Sequence, residues 1–314
     1  RWSRMKTAFL FSGQGAQYVG MGQELAQNHP SVQAVFDAAD AALGFSISDV
    51  CWKEEAKLNE TEFTQPALLT VSTAILTLLT EAGIHPDYLA GLSLGEYTAL
   101  TAAGAIGFED AVRLVQKRGR LMTEAVPAGQ GAMYAILGLE RDAVQKVCNE
   151  LTLSMGYVAP ANYNAPGQIV IAGLAAPTAE AAKQLKEAGA KMVVPLKVSG
   201  PFHTGLLKPA AEKLEEELEK ITFGPLSVPV VSNFTALPYP DSQSIRPTLI
   251  QQVMSPVRFE DSLRYLADQG VDTFIEIGPG KTLSGFVKRT VKGARILHVE
   301  DEASLTKTLS SLEG

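Results

Sequence analysis

Residues 91–95 give one serine the clearest chemical context in this sequence. They read Gly-Leu-Ser-Leu-Gly, a G-x-S-x-G pattern centred on Ser93. A short apolar segment, Pro86–Ala90, predicts a strand before it, and residues 96–103 are rich in helix formers. Gly91 and Gly95 lack a Cβ, so strand and helix can cross closely at the turn. The segment therefore predicts a nucleophilic serine on a sharp strand-to-helix turn, or alternatively a serine that caps a helix.

A nucleophilic serine needs a general base, and the sequence offers four histidines: His29, His85, His203 and His298. His203 is the favoured base because it lies just after a predicted strand, where loop side chains reach an active site. His29 and His85 lie in polar segments and are expected at the surface, which leaves His298 as the rival. No acidic residue is close to His203 in sequence, so either a distant carboxylate or a carbonyl oxygen can orient its ring.

The elements that must position these residues alternate between strand and helix. This order predicts an α/β fold with a parallel sheet and helices on both faces, similar to the hydrolase arrangement. Strands are predicted at residues 6–11, 86–90, 229–232 and 273–277, and helices at Phe108–Glu124 and Leu207–Lys220, among others. The turn Gly278-Pro279-Gly280 lacks the Gly-Lys-Ser/Thr ending of a phosphate-binding loop.

A second pattern interrupts the first between residues 129 and 199. Its predicted order is strand, helix, strand, strand, helix, strand, which is typical of a ferredoxin-like unit. The turn Asn164-Ala165-Pro166-Gly167 separates the two central strands. We therefore predict a small inserted subdomain at 129–199 and a discontinuous large subdomain at 1–128 and 200–314.

Composition narrows the class of protein. Hydrophobic residues make up 46% of the chain and charged residues 19%, which predicts a sizeable core rather than disorder. The net charge of −7 argues against a nucleic-acid binder. Cys51 and Cys148 lie far apart, which excludes a disulfide framework and fits a reducing cytoplasm, and neither cysteines nor histidines suggest a metal site. The apolar run Leu68–Leu79 is expected to be too short to span a membrane.

Five motifs occur in an order that resembles a known family. They are Phe11–Gln17, Gly91–Tyr97, Lys117–Met122, Ser199–His203 and Glu276–Gly280. Together they resemble the malonyl-CoA:acyl-carrier-protein transacylases of bacterial fatty-acid synthesis, over nearly the whole chain. The resemblance implies transfer of a malonyl group from malonyl-CoA to the phosphopantetheine thiol of acyl carrier protein, with no bound cofactor.

The resemblance also implies roles for individual residues. Ser93 would be acylated and His203 would take and return its proton, while the N–H groups of Gln14 and Leu94 would form the oxyanion hole. Arg118 would hold the malonyl carboxylate, a task that suits a bidentate guanidinium. Gln252 matches a position whose main-chain carbonyl orients the histidine, and Asn162 matches one near the acyl and pantetheine site.

Each of these residues also has a plain structural interpretation. In that view Arg118 is a solvated helix charge, Gln14 is part of a tight turn, and Gln252 is an ordinary helix residue.

Two features bear on substrate choice. Leu92 stands where many acyltransferases have a histidine, and Phe202 is associated with malonyl over methylmalonyl groups.

Two other classes of function share some of these features. A serine esterase or acyl-thioesterase would use Ser93 with His298, and a non-catalytic module would only dock a carrier protein. A polyketide acyltransferase acting in trans is a third alternative.

We expect a cytoplasmic monomer that binds neither nucleic acid nor membrane. Carrier protein is usually acidic, so its docking is expected at a basic surface formed by Lys191, Lys281, Lys288 and Arg289.

Overall fold

Two β-sheets divide the protein into a large and a small subdomain. The computed structural model describes residues 5–198 and 200–313. Ser199 of the motif before His203, and residues 1–4 and 314 of the predicted large subdomain, lie outside the described residues.

The large subdomain contains a four-stranded parallel sheet in the order β2-β1-β8-β9. These strands are β1 (Thr7–Phe11), β2 (Tyr88–Gly91), β8 (Thr273–Ile277) and β9 (Arg295–Val299). Every residue of β1 and β8 is buried because helices cover both faces of the sheet. Phe11 is in register with both Gly91 and Ile277, so the loops that follow β1, β2 and β8 emerge at one edge.

Helices account for most of the remaining chain. The large subdomain contributes α1 (Gln23–Asn28), α2 (Pro30–Leu43), α3 (Ile47–Lys53), α4 (Glu55–Leu58), α5 (Thr61–Glu81), α6 (Leu94–Ala102), α7 (Phe108–Glu124), α10 (Lys208–Glu219), α11 (Ile245–Val253), α12 (Phe259–Asp268), α13 (Thr282–Thr290) and α14 (Glu302–Glu313). Two 3₁₀ turns, Gly205–Leu207 and Ser242–Ser244, precede α10 and α11.

The expectation that the apolar run Leu68–Leu79 is too short to span a membrane is wrong, because the run belongs to the longer helix α5. With 21 residues it is long and apolar enough by length and composition, and it is the one such helix among the described residues. In this structure it is a core helix, with 72% of its most apolar window buried.

Helix α7 packs closely on the first turn of α5, because a Cβ on Gly119 of α7 would lie only 2.7 Å from the carbonyl oxygen of Thr61 in α5. This approach places the neighbouring Arg118 inside the protein.

The small subdomain has the predicted ferredoxin-like order. Its elements are β3 (Gly131–Leu137), α8 (Arg141–Ser154), β4 (Val158–Ala165), β5 (Gln168–Leu174), α9 (Ala175–Glu187) and β6 (Met192–Pro195). The sheet order is β6-β3-β5-β4-β7, where β7 (Val257–Arg258) comes from the large subdomain and pairs parallel with β4. The exact boundaries at 128/129 and 199/200 remain a prediction.

One predicted strand, at residues 229–232, is wrong as a regular element. The segment makes only isolated bridges, from Val230 to Leu89 and from Val231 to Pro238. Pro229 has no N–H to donate, which ends the pairing on one side. On the other side the Asn233 N–H donates to Glu96, and the Gly91 carbonyl accepts from the Asn233 side chain instead. The bridge still places the following residue, Asn233, beside the carboxyl end of β2.

Candidate active site

Ser93 lies on a tight turn between β2 and α6. Its backbone has φ 54° and ψ −103°, a strained conformation for a residue with a side chain. The flanking glycines allow the turn, because a Cβ on Gly91 would lie 2.1 Å from the backbone of Gly95. A Cβ on Gly95 would lie 2.2 Å from the carbonyl oxygen of Phe11. The predicted strand–turn–helix context of Ser93 is therefore present.

The imidazole of His203 lies beside the Ser93 hydroxyl. The distance from Ser93 Oγ to His203 Nε2 is 2.6 Å, and Nδ1 lies 2.9 Å from the main-chain carbonyl oxygen of Gln252. A carbonyl only accepts hydrogen bonds, so the proton is on Nδ1 and Nε2 accepts from the serine hydroxyl. Burial, together with the charge of Arg118, lowers the pKa of His203 to about 4. The ring is therefore neutral at neutral pH and able to act as a base.

Arg118 is a fully buried cation directed at the same hydroxyl. Its Nη2 donates to Ser93 Oγ at 3.2 Å and to the side-chain oxygen of Gln252 at 3.0 Å, and its Nη1 donates to Gln65 at 2.9 Å. The guanidinium carbon lies 5.0 Å from the centre of the Tyr97 ring. Burial lowers the pKa of Arg118. Among the described residues no carboxylate forms an ion pair with Arg118, and its buried Nε has no hydrogen-bond acceptor.

Two backbone N–H groups are available near Ser93. Leu94 is the first residue of α6, and Gln14 follows β1 in a loop that contacts the turn. The contact is close, because a Cβ on Gly13 would lie 2.5 Å from the carbonyl oxygen of Leu92. Among the described residues neither N–H has an acceptor. The side chain of Gln14 donates to Thr61 at 2.9 Å, which holds this loop in place.

A cavity of about 350 Å³ connects Ser93 to the small subdomain. Gln14, Ser93 and His203 line one end, and the small sheet lines the other. Most of its wall is apolar: Leu92, Met122, Met133, Leu137, Val170, Leu196, Val198, Phe202 and Phe286. Asn162, as expected, lines the cavity and is 8% exposed. The cavity thus has room for an extended apolar arm ending at the serine.

The four candidate docking residues are exposed, at two separate places. Lys281 precedes α13 and Lys288 and Arg289 end it, while Thr282 and Phe286 of the same helix line the cavity. Lys191 lies at the edge of the small sheet, and its N–H pairs with the carbonyl of Leu137, another cavity residue. Both segments therefore flank the cavity.

The other histidines are remote from this chemistry. His298 lies on β9, three strand spacings from β2, which corresponds to roughly 14 Å. Its Nε2 lies 3.5 Å from Glu300. His29 pairs with Glu302 at 2.7 Å, and His85 is exposed. The Ser93–His298 arrangement that a hydrolase would use is therefore absent from the described residues.

Several buried residues around Ser93 escaped the sequence analysis. Gln65 holds Arg118, while Asn233 and Glu96 lie behind the turn. Burial raises the pKa of Glu96 to about 7, against the lowering effect of hydrogen bonds from Tyr239, Asn233 and Gln252. Only Glu96 had a sequence signal, since it directly follows the G-x-S-x-G pattern. The described residues contain no cluster that could hold a metal ion.

Comparisons with known proteins identify the family to which the chain is similar. The acyl transferase domain family matches residues 8–308. The malonyl CoA-acyl carrier protein transacylase of Bacillus subtilis is 48% identical over 309 residues, covering 98% of both chains. The crystal structure of the enzyme of that name from Clostridium perfringens has a TM-score of 0.95 and 48% identity, covering 98% of this chain and 97% of that one. A similar structure is a malonyl-transacylase in complex with a type II polyketide acyl-carrier protein (TM-score 0.94, 43% identity, 98% and 99% covered).

Proposed function

The chain belongs to the acyl transferase family, and we propose that Ser93 is the residue through which it transfers malonyl groups. The enzyme moves malonyl from malonyl-CoA to acyl carrier protein. We assign the serine, the base and the carboxylate-binding residue from the geometry described above. The observation that carries the assignment is the buried Arg118, a cation directed at Ser93 Oγ that no carboxylate among the described residues contacts directly. The buried carboxyl group of Glu96 acts on Arg118 only from beyond contact distance. The free carboxylate of a malonyl group supplies a counterion in direct contact.

The first half of the reaction acylates the serine. Ser93 Oγ attacks the thioester carbonyl of malonyl-CoA while its proton passes to His203 Nε2. The N–H groups of Gln14 and Leu94 stabilise the oxyanion that develops. The C–S bond then breaks, and His203 returns the proton to the departing CoA sulfur. The main-chain carbonyl of Gln252 holds the imidazole in the required tautomer throughout.

The second half reverses these roles with a new thiol. The phosphopantetheine thiol of carrier protein gives its proton to His203, and its sulfur attacks the ester carbonyl. The C–O bond breaks and His203 returns the proton to Ser93 Oγ. The mainly apolar cavity accommodates the pantetheine arm, with Asn162 beside it. No step requires a bound cofactor.

Carrier protein docks, in this proposal, on the basic residues Lys281, Lys288 and Arg289 beside the cavity, with Lys191 at its other end. Fatty-acid synthesis is the pathway that we assign, in the cytoplasm and by a monomer that needs neither membrane nor nucleic acid. The buried free thiols of Cys51 and Cys148 are compatible with that compartment. The polyketide carrier protein bound to one similar structure keeps a polyketide role as the second candidate.

Intact-protein and peptide mass spectrometry after mixing with malonyl-CoA tests the proposal. We expect a malonyl adduct on Ser93 that disappears when phosphopantetheinylated carrier protein is added, with malonyl-carrier protein as the product. Ser93→Ala is the control and should carry no adduct. Rapid release of free malonate would instead indicate a hydrolase, and the absence of any adduct would indicate a docking module. Fatty-acid and polyketide carrier proteins, compared as acceptors, separate the two pathways.

A further inference from the structure

Asn233 connects two points of the turn that presents Ser93. Its side chain is buried, and its Oδ1 accepts from the Ser93 N–H at 2.7 Å. Its Nδ2 donates to the carbonyl oxygen of Gly91 at 2.7 Å. One amide side chain therefore fixes the backbone on both sides of Leu92, immediately before the nucleophile.

The peptide group after the nucleophile is fixed from the other side. The Nε2 of Gln252 donates to the Ser93 carbonyl oxygen at 2.9 Å. In a trans peptide the following N–H points opposite to that carbonyl, so this bond directs the Leu94 N–H away from Gln252. The Ser93 N–H is occupied by Asn233, whereas the N–H of the next residue, Leu94, has no acceptor among the described residues.

Asn233 is itself held by the helix that begins at the turn. Its backbone N–H donates to Glu96 Oε1 at 2.7 Å, and the Tyr239 hydroxyl donates to the other oxygen of that carboxylate. Its carbonyl accepts from the Arg258 N–H at 2.9 Å. Ser93, Glu96 and Asn233 thus form a closed ring of contacts behind the nucleophile. The strained backbone of Ser93 needs such external support in order to persist.

We propose that Asn233 is a positioning residue for acyl transfer, whose side-chain amide holds the turn so that Ser93 Oγ meets His203 and the Leu94 N–H meets the acyl oxygen. This inference rests on the proposed acylation of Ser93. Asn233 does not line the cavity, so its effect falls on the rate of acylation and not on the binding of acyl-CoA.

The test measures single-turnover acylation of Asn233→Ala by rapid-quench mass spectrometry. We expect a loss of about a hundredfold, comparable to the removal of one oxyanion-hole donor. The loss should be equal for malonyl-CoA and acetyl-CoA. In a Ser93→Ala background, Asn233→Ala should leave the dissociation constant of malonyl-CoA, measured by calorimetry, within twofold.

Two further variants separate positioning from general destabilisation. Asn233→Asp keeps the acceptor for the Ser93 N–H but places a carboxylate oxygen against the Gly91 carbonyl, so we expect an intermediate loss of about tenfold. Thr235→Ala is the matched control, because Thr235 lies in the same loop and its Oγ1 donates to the carbonyl oxygen and accepts from the N–H of Leu237, away from Ser93 and Glu96. It should lower the melting temperature while leaving the acylation rate near wild type.

Two results would overturn the inference. One is acylation of Asn233→Ala or Asn233→Asp within threefold of wild type. The other is a weakening of malonyl-CoA binding in the Ser93→Ala background that matches the loss of rate. Failure of the proposed function looks different, because the wild-type protein itself would then carry no adduct on Ser93.

Discussion

Arg118 and Ser93 are in direct contact, with Nη2 of the guanidinium 3.2 Å from Oγ of the hydroxyl. The serine oxygen accepts from Arg118 while its proton is directed to His203. The same cation helps to keep the imidazole neutral, because its charge lowers the pKa of His203. The group that we assign to binding the substrate carboxylate therefore also influences the base, and the two effects can be separated by substitution.

The role of His203 predicts a large loss on its removal. His203→Ala should slow acylation of Ser93 by roughly 10²–10⁴-fold, the usual contribution of a general base. Stopped-flow release of CoA measures this rate. His298→Ala is the control and should remain near wild type, since β9 lies at the far edge of the sheet from β2. A wild-type rate in His203→Ala would remove the assignment.

The pH dependence of acylation should report the low pKa of His203. A protonated imidazole cannot accept the serine proton, so activity falls as the pH drops through about 4 and is constant above it up to neutrality. Arg118→Gln removes one of the causes that lower this pKa, so its acidic limb should move to higher pH. The measurement is kcat/KM with acetyl-CoA, which needs no carboxylate partner. A wild-type midpoint at or above 6.5, or an unmoved limb, contradicts this expectation.

Removal of the guanidinium should discriminate between acyl groups. Arg118→Ala should weaken malonyl transfer by about 3–5 kcal/mol, the cost of leaving a buried charge without its partner. Acetyl transfer should be preserved or improved, because acetyl carries no carboxylate. Arg120→Ala is the matched control on the same helix. Arg120 is exposed, and its Nε forms a surface ion pair with Oε1 of Glu62 at 3.4 Å. Equal losses for both acyl groups would indicate a structural role.

Glu96 should make the stability of the protein depend on pH. Burial raises its pKa in the folded state to about 7, above its ordinary value of 4.5. Between these values the folded chain holds a proton that the unfolded chain has lost, so stability decreases as the pH rises. Relative to Glu96→Gln, the wild type should lose roughly 3 kcal/mol of unfolding free energy between pH 4.5 and pH 8.

Urea unfolding of the two proteins across this pH range measures the difference. Contributions from other groups, such as Glu276 and His203, are present in both proteins and cancel. A difference that stays constant with pH would show that Glu96 titrates normally in the folded protein.

Charge reversal on α13 should weaken docking alone. Lys288→Glu with Arg289→Glu should raise the apparent KM for carrier protein, with an effect that shrinks at high salt. Acylation by malonyl-CoA should be nearly unchanged, because neither side chain contacts Ser93, His203 or Arg118. Lys53→Glu with Arg113→Glu changes the net charge equally at exposed positions outside the cavity and serves as control. An unchanged KM at low salt would exclude this surface.

Local patterns were sufficient to predict the turn at Ser93 and the small βαββαβ unit. The turn follows from two glycines and one serine within five residues, and the unit from alternating segments. The supporting residues could not be predicted, because Asn233 reaches Ser93 across 140 positions and an amide side chain has no characteristic spacing. The orienting group of His203 is a main-chain carbonyl, which leaves no trace in residue types, so that only the family resemblance pointed to Gln252. The parallel pairing of β4 with β7 is likewise visible only in three dimensions.

That pairing has a consequence for exchanging parts between related enzymes. Asn162 and Tyr163 of the small subdomain are in register with Val257 and Arg258, which follow closely after Gln252. The small subdomain is thus paired with the segment that follows Gln252, whose carbonyl holds His203, and residues 129–199 do not form an independent unit. A chimera that exchanges residues 129–199 alone combines the cavity-lining sheet of one parent enzyme with the 252–258 segment of the other. A sound exchange therefore carries residues 252–258 as part of the same module.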